Sequence, residues 1–215
     1  MEPIQIYFEN SSILICEKPA GISSEDGGLP DLLCKQIGIN KLYTVHRLDS
    51  AVSGGIVYAK TKEAAASLSS QITNGSFNKV YIAVAEGVLD ENEGMWEDLL
   101  FYDRKQGKSY VVKRERDGVK RALVHYKVKE KFLTKSGQNA SLIELELLTG
   151  RTHQIRVQLA SRKHPVLGDR RYGSRENIKG IALRSYKLRF TDPETGSKRN
   201  LEFPLPDEYP WNSVL

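Results

Sequence analysis

Cysteine is scarce: the 215 residues hold only Cys16 and Cys34. Two distant thiols are too few for a four-ligand zinc site or a CxxC redox pair, and a reducing, cytoplasmic setting is expected. Long apolar runs are also missing. No stretch approaches the roughly 18 apolar residues that a membrane helix needs, and Met1-Glu2-Pro3 lacks the basic-then-apolar pattern of a signal peptide. No membrane association is therefore expected. The four histidines, His46, His125, His153 and His164, form no i,i+4 pair and adjoin no acidic cluster, so no metal is expected. Internal repeats, low-complexity linkers and sustained heptads are absent, which favours a monomer. What remains is a composition of 40% hydrophobic and 27% charged residues. That is the balance of a soluble globular chain long enough for one sizeable core split into two lobes.

Charge is unevenly placed. Residues 1–100 carry 7 Lys+Arg against 14 Asp+Glu, whereas residues 101–215 carry 25 against 13. A polyanion is drawn to the second half. Its cations cluster at Arg104, Lys105, Lys108, Lys113, Arg114, Arg116, Lys120 and Arg121, then at Arg162, Lys163, Arg170, Arg171, Arg175 and Lys179. Tyr110 and Tyr172 lie among them as candidate stacking partners for bases. The competing reading is two solvated basic faces.

Periodicity outlines the fold. "IQIYFENSSILICEKPAG" reads as two strands joined at Asn10-Ser11, and "GLPDLLCKQIG" as a short helix with Pro30 in its first turn and Gly38 past its end. "GGIVYAK" is a strand. "TKEAAASLSSQITNG" is a helix capped by Thr61, with Ala65, Leu68 and Ile72 on one face. "KVYIAVAEG", "RALVHYKVKEKF", "SLIELELL" and "SYKLRF" read as strands, the middle two with strict apolar-polar alternation. Residues after Thr152 read as helix up to Pro165. Strands dominate and helices are too few for regular βαβ units, so the expected class is α+β with a mixed, largely antiparallel central sheet.

The chemistry centres on "YTVHRLDSAVSGGIVYAK", residues 43–60. Ser53 between small residues approximates a nucleophile elbow, but that motif needs a strand before the serine and a helix after it. Here the apolar strand follows the serine. Asp49 is the other candidate, against the plain alternative of a turn residue.

Three further stretches bear on that choice. His46-Arg47-Leu48-Asp49, Ser53-Gly54 and Ala59-Lys60 are followed by Lys79-x-Tyr81, by Gly150-Arg151-Thr152-His153-Gln154-Ile155-Arg156, and by His164-Pro165, Gly168-Asp169 and Tyr172-Gly173. With Lys18-Pro19-Ala20-Gly21 near the start, this ordered set resembles the RluA-type RNA pseudouridine synthases from about Ile13 to Pro206. The resemblance implies the pseudouridine synthase fold, two lobes around a catalytic cleft, and one catalytic domain over residues 1–215 without a separate N-terminal RNA-binding domain. It implies cofactor-free isomerisation of specific uridines in structured RNA (ribosomal or transfer RNA).

By the same resemblance Asp49, Tyr81 and Arg151 are catalytic: the carboxylate attacks or stabilises the reacting nucleoside, the tyrosine lies against the uracil, and the guanidinium keeps the carboxylate ionised. Arg47 is either an RNA wedge beside an extruded uridine or a loop-bonding arginine. His46 is structural, and Ile155 packs near the base or in the core. RNA contacts are expected from Arg47, Lys79, Arg104, Lys113, Arg114, Arg116, Arg170 and Arg171. Two departures stand out. Val52 replaces the usual threonine, and Leu183-Arg184-Ser185 replaces Leu-His-Ala, which puts substrate contacts there in doubt. A catalytically silent RNA-binding protein of this fold and a serine hydrolase using Ser53 are the alternatives.

Overall fold

A computed structural model describes residues 3–213, so Met1, Glu2, Val214 and Leu215, which the expected 1–215 domain includes, lie outside the described residues. The chain opens with β1 (Ile6–Glu9) and β2 (Ile13–Lys18), an antiparallel hairpin. Asn10 makes its turn, the side-chain oxygen accepting from the Ser12 and Ile13 amides. Helix α1 (Leu29–Ile37) takes Pro30 in its first turn and stops at Gly38, whose φ of 72° favours glycine. Short β3 (Tyr43–Thr44) and β4 (Ser53–Ala59) bracket the loop that carries Asp49. Thr61 caps α2 (Lys62–Thr73) by accepting from the Ala64 amide at 3.1 Å, and Ala64 and Leu68 are buried.

Strands β5 (Asn78–Glu86), β6 (Glu93–Asp103), β7 (Lys108–Val112), β8 (Val119–Leu133) and β9 (Asn139–Leu147) follow. Then come α3 (Gln154–Ser161), β10 (Leu183–Thr191) and β11 (Lys198–Glu202), with 3-10 turns at Arg170–Tyr172 and Trp211–Ser213. Eleven strands against three helices among the described residues place the chain in the α+β class. The sequence pattern carried the third helix to Pro165, but it ends at Ser161. The residue before a proline is pushed out of the α region, and the chain unwinds through Lys163 at φ 67°.

Contacts divide the chain into two compact units. The first runs to Lys79 and resumes over Arg184–Pro204. Its strands lie in the order β1-β2-β4-β10, with β3 beside β4 and β11 beside β10. β10 runs parallel to β4, whereas β2 and β4 pair antiparallel. Ile13 and Ile15 on one face of β2 and Leu14 and Cys16 on the other are all fully buried. Both faces are covered, so the strand reads as an unbroken apolar run instead of an alternation. The core joins Ile13, Ile15, Val57, Leu68, Phe77, Leu188, Phe190 and Phe203.

The second unit covers Val80–Leu183 and Leu205–Leu215, its strands in the order β5-β9-β8-β6-β7. β9, β8, β6 and β7 pair antiparallel throughout. Along β8, Ala122, Val124 and Tyr126 are buried while Arg121, Lys127 and Lys129 are exposed, the wet-and-dry alternation the sequence shows.

Gly55 on β4 has no room for a side chain: a Cβ there would lie 1.8 Å from Cε2 of Phe203. Gly55→Ala should destabilise the protein by about 2 kcal/mol or more in urea unfolding. Adding Phe203→Leu should recover part of that loss; a double variant no better than Gly55→Ala would refute the clash as its cause.

Candidate active site

In the first unit the loop around Asp49 is held almost peptide by peptide. The buried Ser24 hydroxyl donates to the Leu48 carbonyl at 3.0 Å and accepts from the Leu48 amide at 3.1 Å. The Val52 amide closes a turn onto the Asp49 carbonyl at 2.9 Å, and the Gly21 amide donates to Ser50 O at 2.7 Å. Lys18 completes the enclosure. Its side chain is wholly buried, and Nζ donates to Pro19 O at 2.9 Å, Ser50 O at 3.1 Å and Val52 O at 2.7 Å. Burial draws this ammonium down to about 8, while the nearby Asp49 and then Glu17 charges pull it back up. At neutral pH it is still charged, and the half-buried Asp49 lies within its field.

His46 is buried and its ring lies tilted against Phe77 at 5.4 Å. Nε2 accepts from the Val57 amide at 3.2 Å, so a neutral ring carries its proton on Nδ1, which has no hydrogen-bond partner. Burial, and secondly the Lys79 charge, push the ring down to about 3. A histidine fixed neutral and bonded to β4 orients the loop. Arg47 points outward, and its 3.4 Å pair with Glu25 is exposed on both sides, which contributes little to holding it. Ser53 is half-buried at the start of β4; its Oγ lies 3.5 Å from Nη1 of Arg184. The one histidine of this unit is engaged elsewhere, so the elbow has no base there. Lys79 is half-buried, and burial lowers its pKa.

In the second unit Tyr81 sits on β5 at 7% exposure. Arg151 is exposed, and its backbone is tied down. Its amide donates to Gln154 Oε1 at 3.0 Å, and its Nε donates to Arg121 O at 2.9 Å. Gln154 also donates to Leu123 O and accepts from Thr149 Oγ1. His153, at the N-cap of α3, adopts φ 54°, a left-handed conformation that non-glycine residues enter only under constraint. The constraint comes from Tyr172, whose hydroxyl lies 2.9 Å from His153 Nδ1 and accepts from the Ser109 amide at 2.8 Å.

Arg156 forks onto Asp169 at 2.6 and 3.0 Å, both side chains buried, with its guanidinium over the Tyr172 ring. The two late signature stretches thus bind each other. Tyr172 is buried and engaged in this network, so it cannot be the base-stacking residue that its basic surroundings suggested. Ile155 is buried on α3.

Arg104, Lys113, Arg114 and Arg116 are exposed around β7, and Arg170 and Arg171 on the 3-10 turn. Arg116 covers the Phe101 ring at 4.7 Å, Arg170 donates to Asn177, and Arg171 donates to Gly107 O. Among the described residues no cluster of His, Cys, Asp and Glu could hold a metal ion, and no helix is long and apolar enough to cross a membrane. Sequence reasoning noted Lys18 as part of a motif but gave it no role, and it missed Ser24. An isolated lysine or serine carries no sign that its partners are main-chain carbonyls 32 and 24 residues away.

The model of the family described as RNA pseudouridylate synthase matches residues 12–161. An uncharacterized RNA pseudouridine synthase of Bacillus subtilis, YhcT, is 36% identical over 94% of this chain and 69% of its own length. Ribosomal large subunit pseudouridine synthase D of Neisseria meningitidis is 35% identical over 99% of this chain, which spans 61% of that relative. Among solved structures, human RNA pseudouridylate synthase domain containing 1 superimposes with a TM-score of 0.84 at 25% identity, covering 99% of this chain and 86% of that one.

The neutral His46 makes a specific demand on stability. Below about pH 6.5 the unfolded chain binds a proton that the folded ring refuses until about pH 3. Its contribution to the fold is therefore complete above 6.5 and declines as pH falls toward 3. Between pH 7 and 4.5 the wild type should lose roughly 2 kcal/mol more unfolding free energy in urea than His46→Gln, in which other titrations cancel. Parallel losses in the two proteins would show that the ring is not buried neutral.

Proposed function

We propose that Asp49 is the catalytic carboxylate of this enzyme, and the premise is its family: the chain belongs to the RNA pseudouridylate synthases, which are RNA isomerases. Such an enzyme breaks the N1–C1′ bond of a uridine, turns the base, and joins C5 to C1′. The hydrogen leaves C5 and one is gained at N1, so the reaction is redox-neutral. Attack by a carboxylate on the nucleoside and stabilisation of a cationic sugar make the same demand: an ionised group held still. The observation that carries this reading is the fixed backbone from Leu48 to Val52, with the buried Lys18 ammonium beside Asp49. A turn residue of no consequence needs no such enclosure.

Tyr81 and Arg151 complete the catalytic set, and residues 1–215 act as one catalytic domain. Tyr81 brings a ring face and a hydroxyl to the uracil, where C5 must lose its hydrogen. Arg151 brings a guanidinium whose Nε and amide are already anchored, so little orientation remains to be lost. Arg47, exposed two residues before Asp49, fills the space left by an extruded nucleotide in this reading. The substrate is structured cytoplasmic RNA. Relatives named for the large ribosomal subunit put ribosomal RNA ahead of transfer RNA. Backbone grip comes from Arg104, Lys113, Arg114, Arg116, Arg170 and Arg171, all exposed, with a smaller share from half-buried Lys79.

Incubated with its organism's RNA prepared without the modification, the protein should form pseudouridine. Asp49→Asn should abolish the reaction, lowering the rate by about 10³-fold or more, while Ser53→Ala keeps it. Pseudouridine formed at the wild-type rate by Asp49→Asn would end the assignment. Labelling of Ser53 by a serine-directed covalent probe would revive a hydrolase, and RNA binding without any turnover would leave only a silent binding protein.

A second measurement addresses the grip. Lys113→Gln with Arg114→Gln should flatten the plot of log affinity against log salt by about two contacts' worth, each worth a slope near 0.7–0.9. An unchanged slope would remove these two residues from the RNA interface.

A further inference from the structure

Arg184 stands where the family pattern has histidine, and it is 4% exposed. A guanidinium so enclosed does not serve as a surface contact for a phosphate. Its Nη1 and Nη2 fork onto Glu17 Oε1 and Oε2 at 2.7 and 2.8 Å. Glu17 is itself occupied on both oxygens: Oε1 accepts from the Gly54 amide at 3.1 Å, and Oε2 accepts from the Tyr7 hydroxyl at 2.9 Å. Arg184 also pairs in register with Ser53 on β4, and Ser185 with Gly54. The contact is tight. A Cβ on Gly54 would lie 2.2 Å from the Ser185 carbonyl and 2.9 Å from Arg184 Cγ, and Gly54 has φ 113°.

The geometry points to Arg184 as a positioning residue for Asp49, acting through Glu17 and Gly54. Two adjacent residues of β2 grip the Asp49–Gly54 segment at different points. Lys18 holds the Ser50 and Val52 carbonyls, and Glu17 holds the Gly54 amide. Glu17 keeps the orientation that reaches Gly54 because the Arg184 fork fixes both of its oxygens. Without that fork a mostly buried carboxylate lacks its counter-charge and turns toward solvent. The Gly54 amide then loses its acceptor, and the far end of the catalytic turn loosens. Arg184 touches neither Asp49 nor RNA in this scheme. The departure from the histidine pattern is a change in how the turn is braced, and not in what the enzyme binds.

This inference rests on Asp49 being the catalytic carboxylate, and single-turnover kinetics with saturating RNA can separate the two. Arg184→Met should lower the rate of the folded protein at least about tenfold, since small displacements of a reacting group are costly, while RNA affinity stays within about twofold. Arg184→Lys, which keeps the charge but not the fork, should fall between Met and wild type. Glu17→Gln combined with Arg184→Met should be no slower than the slower single variant, because both act along one path. Circular dichroism at the assay temperature establishes the folded fraction.

If Arg184→Met melts at lower temperature yet turns over at the wild-type rate per folded molecule, Arg184 is structural glue alone and the inference fails. Should Arg184→Met not fold, Arg184→Lys decides: a rate lowered about threefold or more at unchanged affinity supports the inference, and a wild-type rate overturns it. Asp49→Asn run alongside distinguishes the failures. Full activity in that variant defeats the catalytic assignment itself, whereas an inactive Asp49→Asn beside a fully active Arg184→Met defeats only the role of Arg184.

Discussion

A buried ammonium held by three carbonyl oxygens is the constraint from which the first unit is built. Taking a lysine charge out of water costs several kcal/mol even after relaxation. Lys18 is wholly buried, and the offset comes from the carbonyl dipoles of Pro19, Ser50 and Val52 and from the fields of Asp49 and Glu17. This arrangement is mutual. Ser50 and Val52 have carbonyls inside a packed loop that must find donors, and a rotatable ammonium with three of them satisfies several at once. Neither the loop nor the lysine is stable in this place without the other. Asp49 inherits its position from that bargain, with Ser24 fixing the residue before it and Glu17 the strand after it.

The second unit uses the same tactic with different groups. Arg156, Asp169 and Tyr172 form a buried ion pair under an aromatic ring, and Tyr172 reaches on to His153 and Ser109. A buried pair contributes little net stability against an apolar replacement, but it tolerates few alternative geometries. Here it holds the start of α3, and with it the left-handed His153 and the tethered backbone of Arg151. Most of the polar residues in the two late motifs are therefore bonded to one another. Each unit surrounds its candidate side chain, half-buried Asp49 in one and exposed Arg151 in the other, with buried polar partners, the supporting arrangement that a precise site requires.

How much of this could be read from the chain depended on which physical signal each element leaves. β8 and β9 were plain because one face is wet and the other dry, and α2 because Thr61 and a 3.6-residue apolar stripe agree. β6, β7 and β11 went unread. β6 alternates exposed and half-buried residues with Glu, Asp, Met and Trp mixed on both faces, and β7 lies inside a stretch dominated by Lys and Arg. Their strand state comes from pairing with β8 and β6, and that is tertiary information. Asp49, Tyr81 and Arg151 became candidates through the resemblance of whole motifs; composition alone would have left Asp49 a turn residue and Tyr81 a core one. Lys18 and Ser24 escaped a role because main-chain acceptors have no sequence signature, and Arg184 because its carboxylate partner, Glu17, lies 167 residues away in the chain.

Charge illustrates the difference between counting residues and knowing where they go. The acidic first half and basic second half suggested two oppositely charged regions, but the fold returns Arg184–Pro204 to the first unit. The cations there are largely occupied internally: Arg184 on Glu17, Arg199 on Asp192, Lys187 on Glu202, with Lys60 on Glu9 from the earlier stretch. In the second basic group Arg162 is likewise bound to Asp98 and lies over Trp96. What the polyanion meets is set by the cations that remain exposed. Around β7 these are Arg104, Lys105, Lys113, Arg114 and Arg116, close together in the chain and flanking a strand at the end of its sheet order. Ion pairing thus concentrates a diffuse net charge of +5 into a local one. A phosphate backbone responds to that local field within a Debye length of about 8 Å, not to the sum over the chain.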